Sequence, residues 1–520
     1  ARAGFHGGGP REQGGGGSGM PVGQELDAAL IPLVDTPIRR LRLRHAHPLP
    51  PRTPTRSATG HHHARHVPPR PPWRDEPQPA PTITYVSSPS VPASPPTAGL
   101  EVRPFRALTY RQHEPEQLAR VSSPAYDLVT PAGRDRLEDA DPHNIVRLIL
   151  PHVDPDPDRT GNGARSAAQA ARTLDDWIAE GVLVRDQHPA LWLYEMSPPD
   201  SRPATVGWLG AVSLPPAGSG AVLPHEDTYP PAVEGRRALL AATGTDLEPI
   251  VLAHDAEPEV SALTGTARTA RPSLEVTDTD GVRHRLWRVT EPPLLNRLTT
   301  ALGRTEAVIA DGHHRFAAAR AHARSEPRVP GSDAVLALVT PMGPGGLRVA
   351  PIHRVLPDLA FEAAVTLAAQ GFQLRDLGVP NAEAVVPAIH RWLETAGEEG
   401  FLLTDGRTLV QLTEPSAAVR SAVPAEAPSA WRDLDVVLAH HGLFGELLQR
   451  DDDPGSVVVA HSVAEAVRVA AERNGVALLL RAPSPAAVAA VARAGARMPR
   501  KSTLFVPKPR TGLVLRPLAD

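Results

Sequence analysis

The spacing of apolar and polar residues changes near residue 100 of this 520-residue chain. Before that point, apolar residues follow neither a helical nor a strand period, and Gly-rich and His-rich runs interrupt them. The same stretch holds 19 of the 59 prolines. Such a segment buries too little apolar surface to offset the entropy of an ordered chain. We therefore predict that residues 1–99 form a disordered Gly/Pro/His-rich tail.

From residue 100 onward, apolar runs of strand length alternate with stretches at helical spacing. Residues 191–196 and 205–213 predict neighbouring strands of a hairpin or meander. The apolar run 145–150 also predicts a strand, and residues 433–448 predict a helix. This mixed order favours an α+β (mixed α/β) fold over a doubly wound sheet.

One apolar run leads directly into a group of chemically active residues. Residues 307–310 predict a buried strand, which ends in an Asp-Gly turn before an Ala-rich stretch that favours a helix. The turn and the first helical turn comprise Asp311, Gly312, His313, His314 and Arg315. A helix N-terminus offers free N–H groups to an anion, glycine permits close backbone approach, and arginine donates two hydrogen bonds to a phosphate. We interpret the motif as a phosphate-binding turn whose helix Asp311 caps. The alternative is a structural turn with two solvated histidines.

Lysine is confined to one short segment. Only two of the 54 Lys and Arg residues are lysines, namely Lys501 and Lys508. An Arg-rich chain retains lysine where a compact ammonium on a flexible stem is needed, so we assign Lys501, Ser502 and Lys508 to phosphate binding. Chance clustering is the alternative. The segment is not a Walker loop, because the second glycine is missing and the residues after Ser502 favour a strand.

Two further polar clusters supply candidate functional groups. His225 and Glu226 lie in one polar loop and Asp127 in another, and each offers an acid or base to a substrate hydroxyl. An exposed polar loop is the alternative. His353 and Arg354 directly follow a predicted strand and form a further candidate pair for nucleotide binding. For them the alternative is a surface His-Arg pair.

Composition and charge exclude several classes of protein. The chain has no cysteine, which excludes disulfides, thiolate zinc sites and cysteine nucleophiles. Its net charge of -4 does not favour nucleic-acid binding by the whole protein, although residues 1–100 carry 11 Arg and 6 Asp or Glu, a net charge of +5. No apolar run reaches the roughly 20 residues of a membrane helix, and no secretory signal pattern opens the chain. We therefore expect a cytoplasmic protein.

Several short motifs occur in the same order as in a known protein family. They are Arg103-Pro104-Phe105-Arg106-Ala107, Ala125-Tyr126-Asp127, His225-Glu226-x-Thr228, Ala310-Asp311-Gly312-His313-His314-Arg315, His353-Arg354 and Lys501-Ser502-Thr503-x-Phe505-x-Pro507-Lys508. On these motifs the chain, from about residue 101 to 516, resembles the bacterial and archaeal family called domain of unknown function 1015 (DUF1015). Phe316 stands where that family usually has tyrosine after the signature arginine.

The Asp-Gly-His-His-Arg signature further resembles the ParB/sulfiredoxin-like superfamily and its SerK-type free-serine kinases. The resemblance implies a ParB-like nucleotide-binding core with large insertions, residues 100–356. It also implies a C-terminal α/β part, residues 357–520, that completes the site. The implied activity is a nucleotide-dependent kinase that phosphorylates the hydroxyl of free L-serine or a similar small acceptor, with ATP or ADP and Mg²⁺.

Under this hypothesis the candidate residues take two roles. The catalytic candidates are Glu226, Asp127 and His225. The nucleotide-binding candidates are Asp311, Gly312, His313, His314, Arg315, Lys501, Ser502, Lys508, His353 and Arg354. One or two carboxylates, such as Asp127, Glu226 or Asp311, would hold Mg²⁺ together with the nucleotide.

Two alternatives to the kinase stay open at this point. One is a ParB-like nucleotide-binding switch or DNA-associated module without kinase turnover. The other is a hydrolase or nuclease that uses a His/Asp metal site. We expect a nucleotide and a small-molecule substrate as partners, and neither a membrane nor nucleic acid.

Overall fold

The computed structural model describes residues 99–519 except 152–161, 217, 344, 396–399 and 452–454. The predicted tail therefore lies outside the described residues, apart from Gly99. The elements up to residue 341 are β1 (Val102–Arg103), β2 (Leu108–Tyr110), α1 (Pro115–Val121), α2 (Pro131–Ala140), α3 (Val146–Ile149), α4 (Asn162–Ala179), β3 (Leu183–Arg185), β4 (Leu191–Ser197), β5 (Thr205–Ser213), β6 (Val222–Leu223), α5 (Pro230–Thr243), β7 (Thr245–Asp246), β8 (Ile250–His254), α6 (Pro258–Ala267), β9 (Leu274–Thr277), β10 (Arg283–Val289), α7 (Pro292–Leu302), β11 (Ala307–Asp311), α8 (His313–His322) and β12 (Ala334–Pro341).

The later elements are β13 (Arg348–Ala350), β14 (His353–Leu356), α9 (Phe361–Ala368), β15 (Gln373–Asp376), α10 (Val385–Glu394), β16 (Phe401–Thr404), β17 (Leu409–Thr413), α11 (Ala417–Ser421), α12 (Ser429–Arg432), α13 (Asp435–Leu438), β18 (Val458–Ala460), α14 (Val463–Glu472), β19 (Val476–Leu479), α15 (Pro485–Arg493), β20 (Leu504–Val506) and β21 (Arg516–Pro517). Short 3-10 turns cover Tyr126–Leu128 and Ala382–Ala384, and a π-helix covers Ala439–Leu447.

A nine-stranded mixed sheet forms the larger layer. Its order is β6-β11-β8-β12-β5-β4-β10-β9, and β1 also pairs with β5. β11 runs parallel to β6, and β12 runs parallel to β8, whereas the other pairs are antiparallel. Ala307 to Ala310 of β11 are all buried, because both faces of the strand pack into hydrophobic clusters, Val308 and Ala310 into one and Ala307 and Ile309 into another. The predicted buried strand at 307–310 is confirmed.

A second, six-stranded sheet has the order β15-β17-β16-β19-β14-β18 and is antiparallel throughout. One cluster of buried residues spans both sheets, with Val308 and Ala310 from the larger sheet and Leu356, Phe401 and Phe505 from the later part of the chain. The described residues on the two sides of residue 356 therefore share one hydrophobic core. The domain boundary predicted there stays a prediction.

The last described segment returns to the larger sheet. Leu513 and Leu515 are buried in one core cluster of that sheet, and Leu518 is buried in another. Strand β21 pairs with β7, where Arg516 donates a 2.8 Å hydrogen bond to Asp246. The segment after β20 thus completes the packing of residues that lie hundreds of positions earlier.

The α+β fold class is confirmed, and one local prediction is wrong. Residues 145–150 contain helix α3 instead of a strand. Fully buried apolar runs lack a diagnostic period, and here the buried Asn144 side chain accepts a hydrogen bond from the Val146 N–H, which favours a helical turn. The helix predicted at 433–448 is present as α13 continued directly by the π-helix. Among the described helices, none combines the length and apolar character of a membrane crossing.

Candidate nucleotide site

The site is built on the junction between β11 and α8. The strand ends at Asp311, Gly312 adopts a left-handed φ of 93°, and the helix begins at His313. A Cβ at position 312 would lie 2.8 Å from Ile250 Cγ2, so this turn requires glycine for two reasons. The capping role predicted for Asp311 is wrong, because the helix has no side-chain cap and the Asp311 carboxylate contacts Arg315 and Lys508 instead. The first N–H groups of α8 therefore lack a capping side chain.

A cleft of about 290 Å³ opens at this turn. Eight of the predicted site residues line it, namely Asp127, Glu226, Asp311, Gly312, His313, His314, Lys501 and Lys508. They come from four separate stretches of sequence, so the fold brings together groups that lie up to 381 positions apart. The remaining lining residues include Tyr126, Ile352, His461, Thr503 and Phe505.

Lys508 lies between two carboxylates on one side of the cleft. Its ammonium is 2.7 Å from Asp311 Oδ1 and also contacts Asp127. Burial opposes the charge of Lys508, yet the two carboxylates raise its pKa above the usual value. Burial likewise opposes the charge of Asp127, but the Lys508 ammonium holds its pKa below the usual range. Asp127, Asp311 and Lys508 therefore form a charged triad.

Lys501 brings a second ammonium to the cleft. Its side chain makes no ion pair with any residue in the described part of the chain, whereas its backbone N–H donates a 3.0 Å hydrogen bond to Glu226 Oε1. Burial raises the pKa of Glu226, although this hydrogen bond and the Lys501 charge oppose the rise. A carboxyl group with a raised pKa beside a cation is suited to accept a proton near neutral pH.

Three side chains form a buried wall behind the turn. The imidazole of His225 lies 2.8 Å from the Thr503 hydroxyl and meets the ring of His313 edge to face at 4.7 Å. Burial lowers the pKa of His225 to about 4 and takes that of His313 well below its usual value. His225 is fully buried and does not line the cleft, so the structure places it as a neutral wall residue.

Arg315 also lies behind the cleft. Its guanidinium contacts Asp311, lies 3.8 Å from Glu248 Oε2, and faces the ring of Tyr126 at 5.5 Å. Glu248 in turn accepts hydrogen bonds from the Tyr126 N–H and the Thr511 hydroxyl. Arg315 is therefore engaged by carboxylates and orients Asp311, which does line the cleft.

Ser502, His353 and Arg354 lie outside the cleft as well. The Ser502 hydroxyl donates to the carbonyl oxygen of Pro499. His353 and Arg354 follow strand β13 after two residues, begin strand β14 and are both buried. Arg354 Nη2 donates to the carbonyl oxygens of Arg500 and Lys501, each at 3.0 Å.

Sequence reasoning missed several residues of this region as site residues, including Tyr126, Arg236, Glu248, His461 and Thr503. The Arg236 guanidinium stacks 3.8 Å above the Tyr126 ring, and Tyr126 and Thr503 stood within motifs that resemble DUF1015. Those motifs were the only available signal for them. Glu248 and His461 are single polar residues in otherwise ordinary surroundings, and nothing in the sequence distinguishes them.

No group of three or more His, Cys, Asp or Glu side chains suited to hold a metal occurs in the portion that the structure describes. Asp127 and Asp311 nevertheless lie on either side of the Lys508 ammonium. Mg²⁺ is bound in many nucleotide sites by one or two carboxylates together with phosphate oxygens. The residues present fit that mode of binding and do not form a cage of protein ligands.

A family model supports the resemblance seen in the motifs. Residues 102–437 match the family described as protein of unknown function (DUF1015). The chain belongs to this family. The match ends before residue 501, so both lysines lie beyond the matched residues. No curated protein matches the chain.

Solved structures resemble part of the chain weakly. A free serine kinase in complex with AMP is 14% identical with a TM-score of 0.30, covering 60% of this chain and 92% of its own. A C-terminally truncated SbnI from Staphylococcus aureus is 15% identical with a TM-score of 0.32, covering 60% and 88%. A conserved hypothetical protein from Pyrococcus furiosus is 14% identical with a TM-score of 0.29, covering 59% and 93%. Likeness at this level carries no argument about activity.

Proposed function

We propose that this protein is a nucleotide-dependent kinase that transfers a phosphoryl group to the hydroxyl of free L-serine or a similar small acceptor. The observation that carries the proposal is the convergence of an uncapped helix N-terminus and two ammonium groups on one cleft. Phosphoryl transfer requires mainly positioning and stabilisation of phosphate charge, which such groups provide. The likeness of the Asp311–Arg315 signature to that of SerK-type kinases supports L-serine as the acceptor.

The phosphate groups of ATP or ADP would lie against the first turn of α8. There the N–H groups after Gly312 offer hydrogen bonds, and the Lys501 ammonium offers a positive charge. Lys508, which lines the same cleft between Asp127 and Asp311, would contribute a second charge. Arg315, from behind, fixes the Asp311 carboxylate that contacts Lys508.

Glu226 is the base that we assign to the acceptor hydroxyl. It lines the cleft, burial raises its pKa, and its hydrogen bond to the Lys501 N–H holds the carboxylate next to the phosphate-binding cation. Asp127, predicted as an alternative base, has a lowered pKa and is paired with Lys508. Asp127 and Asp311 are therefore better suited to hold Mg²⁺, which would neutralise phosphate charge when bound.

The decisive experiment incubates the purified protein with L-serine, Mg²⁺ and either ATP or ADP, and follows phosphoserine by ³¹P NMR. We expect phosphoserine with one of the two nucleotides and its loss in Lys501→Met. The matched control is Arg468→Met, which removes an exposed cation of α14 that pairs with Glu472. Nucleotide binding without phosphoserine from L-serine or any other hydroxy amino acid would overturn the kinase in favour of a nucleotide-binding switch.

A further inference from the structure

The segment that carries Lys501 has a strained backbone. Lys501 adopts a left-handed φ of 53°, although it is not glycine. Such a conformation is strained for a residue other than glycine and persists only where the surroundings hold it in place. Some group near Lys501 must therefore stabilise this peptide.

Arg354 meets that requirement from inside the smaller sheet. It pairs with Val459 of β18 and Leu478 of β19, so its backbone belongs to an interior strand. Its side chain is only 2% exposed, and Nη2 donates to two successive carbonyl oxygens, those of Arg500 and Lys501. The two bonds fix the peptides on both sides of the Lys501 α-carbon.

Other contacts hold the same segment from the opposite side. The Met498 N–H donates to the carbonyl oxygen of His225 at 2.8 Å, and the Lys501 N–H donates to Glu226. The Thr503 hydroxyl lies within hydrogen-bond distance of the His225 ring. Residues 498–503 are thus held between the loop that follows β6 and the Arg354 guanidinium.

We propose that Arg354 is a positioning residue, whose buried guanidinium holds the left-handed Lys501 peptide so that the ammonium faces the phosphate cleft. The assignment differs from direct nucleotide binding, because Arg354 does not line the cleft. Only the expected effect of this positioning, tighter phosphate binding, rests on the proposed function. The geometric part concerns the segment 498–503 alone.

The first test measures the segment without any ligand. Amide hydrogen exchange over residues 498–503 should be about tenfold faster in Arg354→Met than in the wild type, because the left-handed peptide loses both hydrogen bonds from the Arg354 guanidinium. The control is Arg481→Met, since Arg481 also donates to two successive backbone carbonyls, but those belong to Trp392 and Leu393, outside residues 498–503. Unchanged exchange in Arg354→Met would overturn the proposal.

The second test measures tripolyphosphate binding by titration calorimetry. We expect Kd to rise about tenfold in both variants, because Lys501→Met removes the ammonium that contacts phosphate and Arg354→Met leaves that ammonium without the peptide that positions it. The double variant should also show about a tenfold rise and not the product of the two, since both changes act on one ammonium. Additive effects would overturn the coupling between the two residues.

Two safeguards keep the outcomes distinct. If Arg354→Met does not fold, Arg354→Lys retains the charge on a shorter stem and should give an intermediate rise in exchange and in Kd. If exchange rises in Arg354→Met while no variant changes tripolyphosphate binding, the positioning by Arg354 stands. In that case the phosphate role of the cleft, and with it the proposed function, fails.

Discussion

At the scale of single residues, burial separates the groups that face the cleft from those that support it. Glu226 and Lys501 line the cleft, whereas His225 and Arg354 are almost fully buried. His225 precedes Glu226 in the sequence, and Arg354 donates a hydrogen bond to the Lys501 carbonyl. An imidazole whose pKa burial lowers to about 4 is neutral at physiological pH. Residue type alone therefore suggested more catalytic groups than the cleft contains.

Glu226→Gln tests the assignment of the base. The variant should lose about 100-fold or more in turnover, because the amide cannot accept the proton. In the wild type, burial raises the pKa of Glu226, so the rate should fall on the acid side at a pH above the ordinary value of about 4.3 for glutamate. The pH–rate profile of phosphoserine formation measures both effects.

Asp227→Asn provides the matched control for that experiment. Asp227 is the neighbouring carboxylate, its side chain is 85% exposed, and it does not line the cleft. The control should show the wild-type rate and the same fall in rate on the acid side of the pH profile. A Glu226→Gln variant as active as Asp227→Asn would remove Glu226 from the mechanism.

Lys508→Met tests the charged triad. At pH 7 the variant should lose about 2 kcal/mol of unfolding free energy, because Asp127 and Asp311 are left without their shared cation. The folded-state pKa of Asp127 is lowered, so its contribution is present above the unfolded pKa and disappears as pH falls through the folded pKa. Urea unfolding between pH 7 and pH 3 should show the two proteins converging, and a pH-independent difference would contradict the triad.

At the scale of elements, the strand–turn–helix junction depends on one glycine. Gly312→Ala should destabilise the protein by roughly 1–3 kcal/mol, because the new Cβ meets Ile250 at a left-handed φ. The control is Gly265→Ala in α6, where nothing lies within 4 Å of the added Cβ, and which should gain up to about 1 kcal/mol. Urea midpoints of the two variants give the comparison, and equal midpoints would show that the turn tolerates a side chain.

The helices and strands also show which parts of the fold the sequence alone could predict. The β11–α8 junction was predictable, since its apolar run, its Asp-Gly turn and its helix-favouring residues are all local signals. The run 145–150 was not, because the buried Asn144 that favours its helical turn is itself held by backbone carbonyls of Arg120 and Ser122. The pairing of Arg354 with the carbonyls near Lys501 spans 147 positions and leaves no local pattern.

At the scale of the whole molecule, Arg516 joins the last described segment to the larger sheet. The Arg516→Met variant should lose about 3–5 kcal/mol of unfolding free energy, because it leaves Asp246 buried without its cation and removes a donor from the Ala334 carbonyl. Arg202→Met, which breaks an exposed pair with Asp200, should leave the unfolding free energy close to the wild-type value. Calorimetry measures the unfolding free energy of both variants. Equal losses of unfolding free energy would contradict the anchoring role of Arg516.

The return of the segment after β20 to the larger sheet has a consequence for the order of events in the cell. A chain emerges from the ribosome from its N-terminal side, and early parts begin to fold before later ones appear. The Gly312 turn is made long before Lys501, Lys508 and the core residues Leu513 and Leu515 leave the exit tunnel. A nascent chain can thus contain the Gly312 turn, but it cannot acquire the two ammonium groups of the cleft until the segment from residue 501 to 515 has been translated.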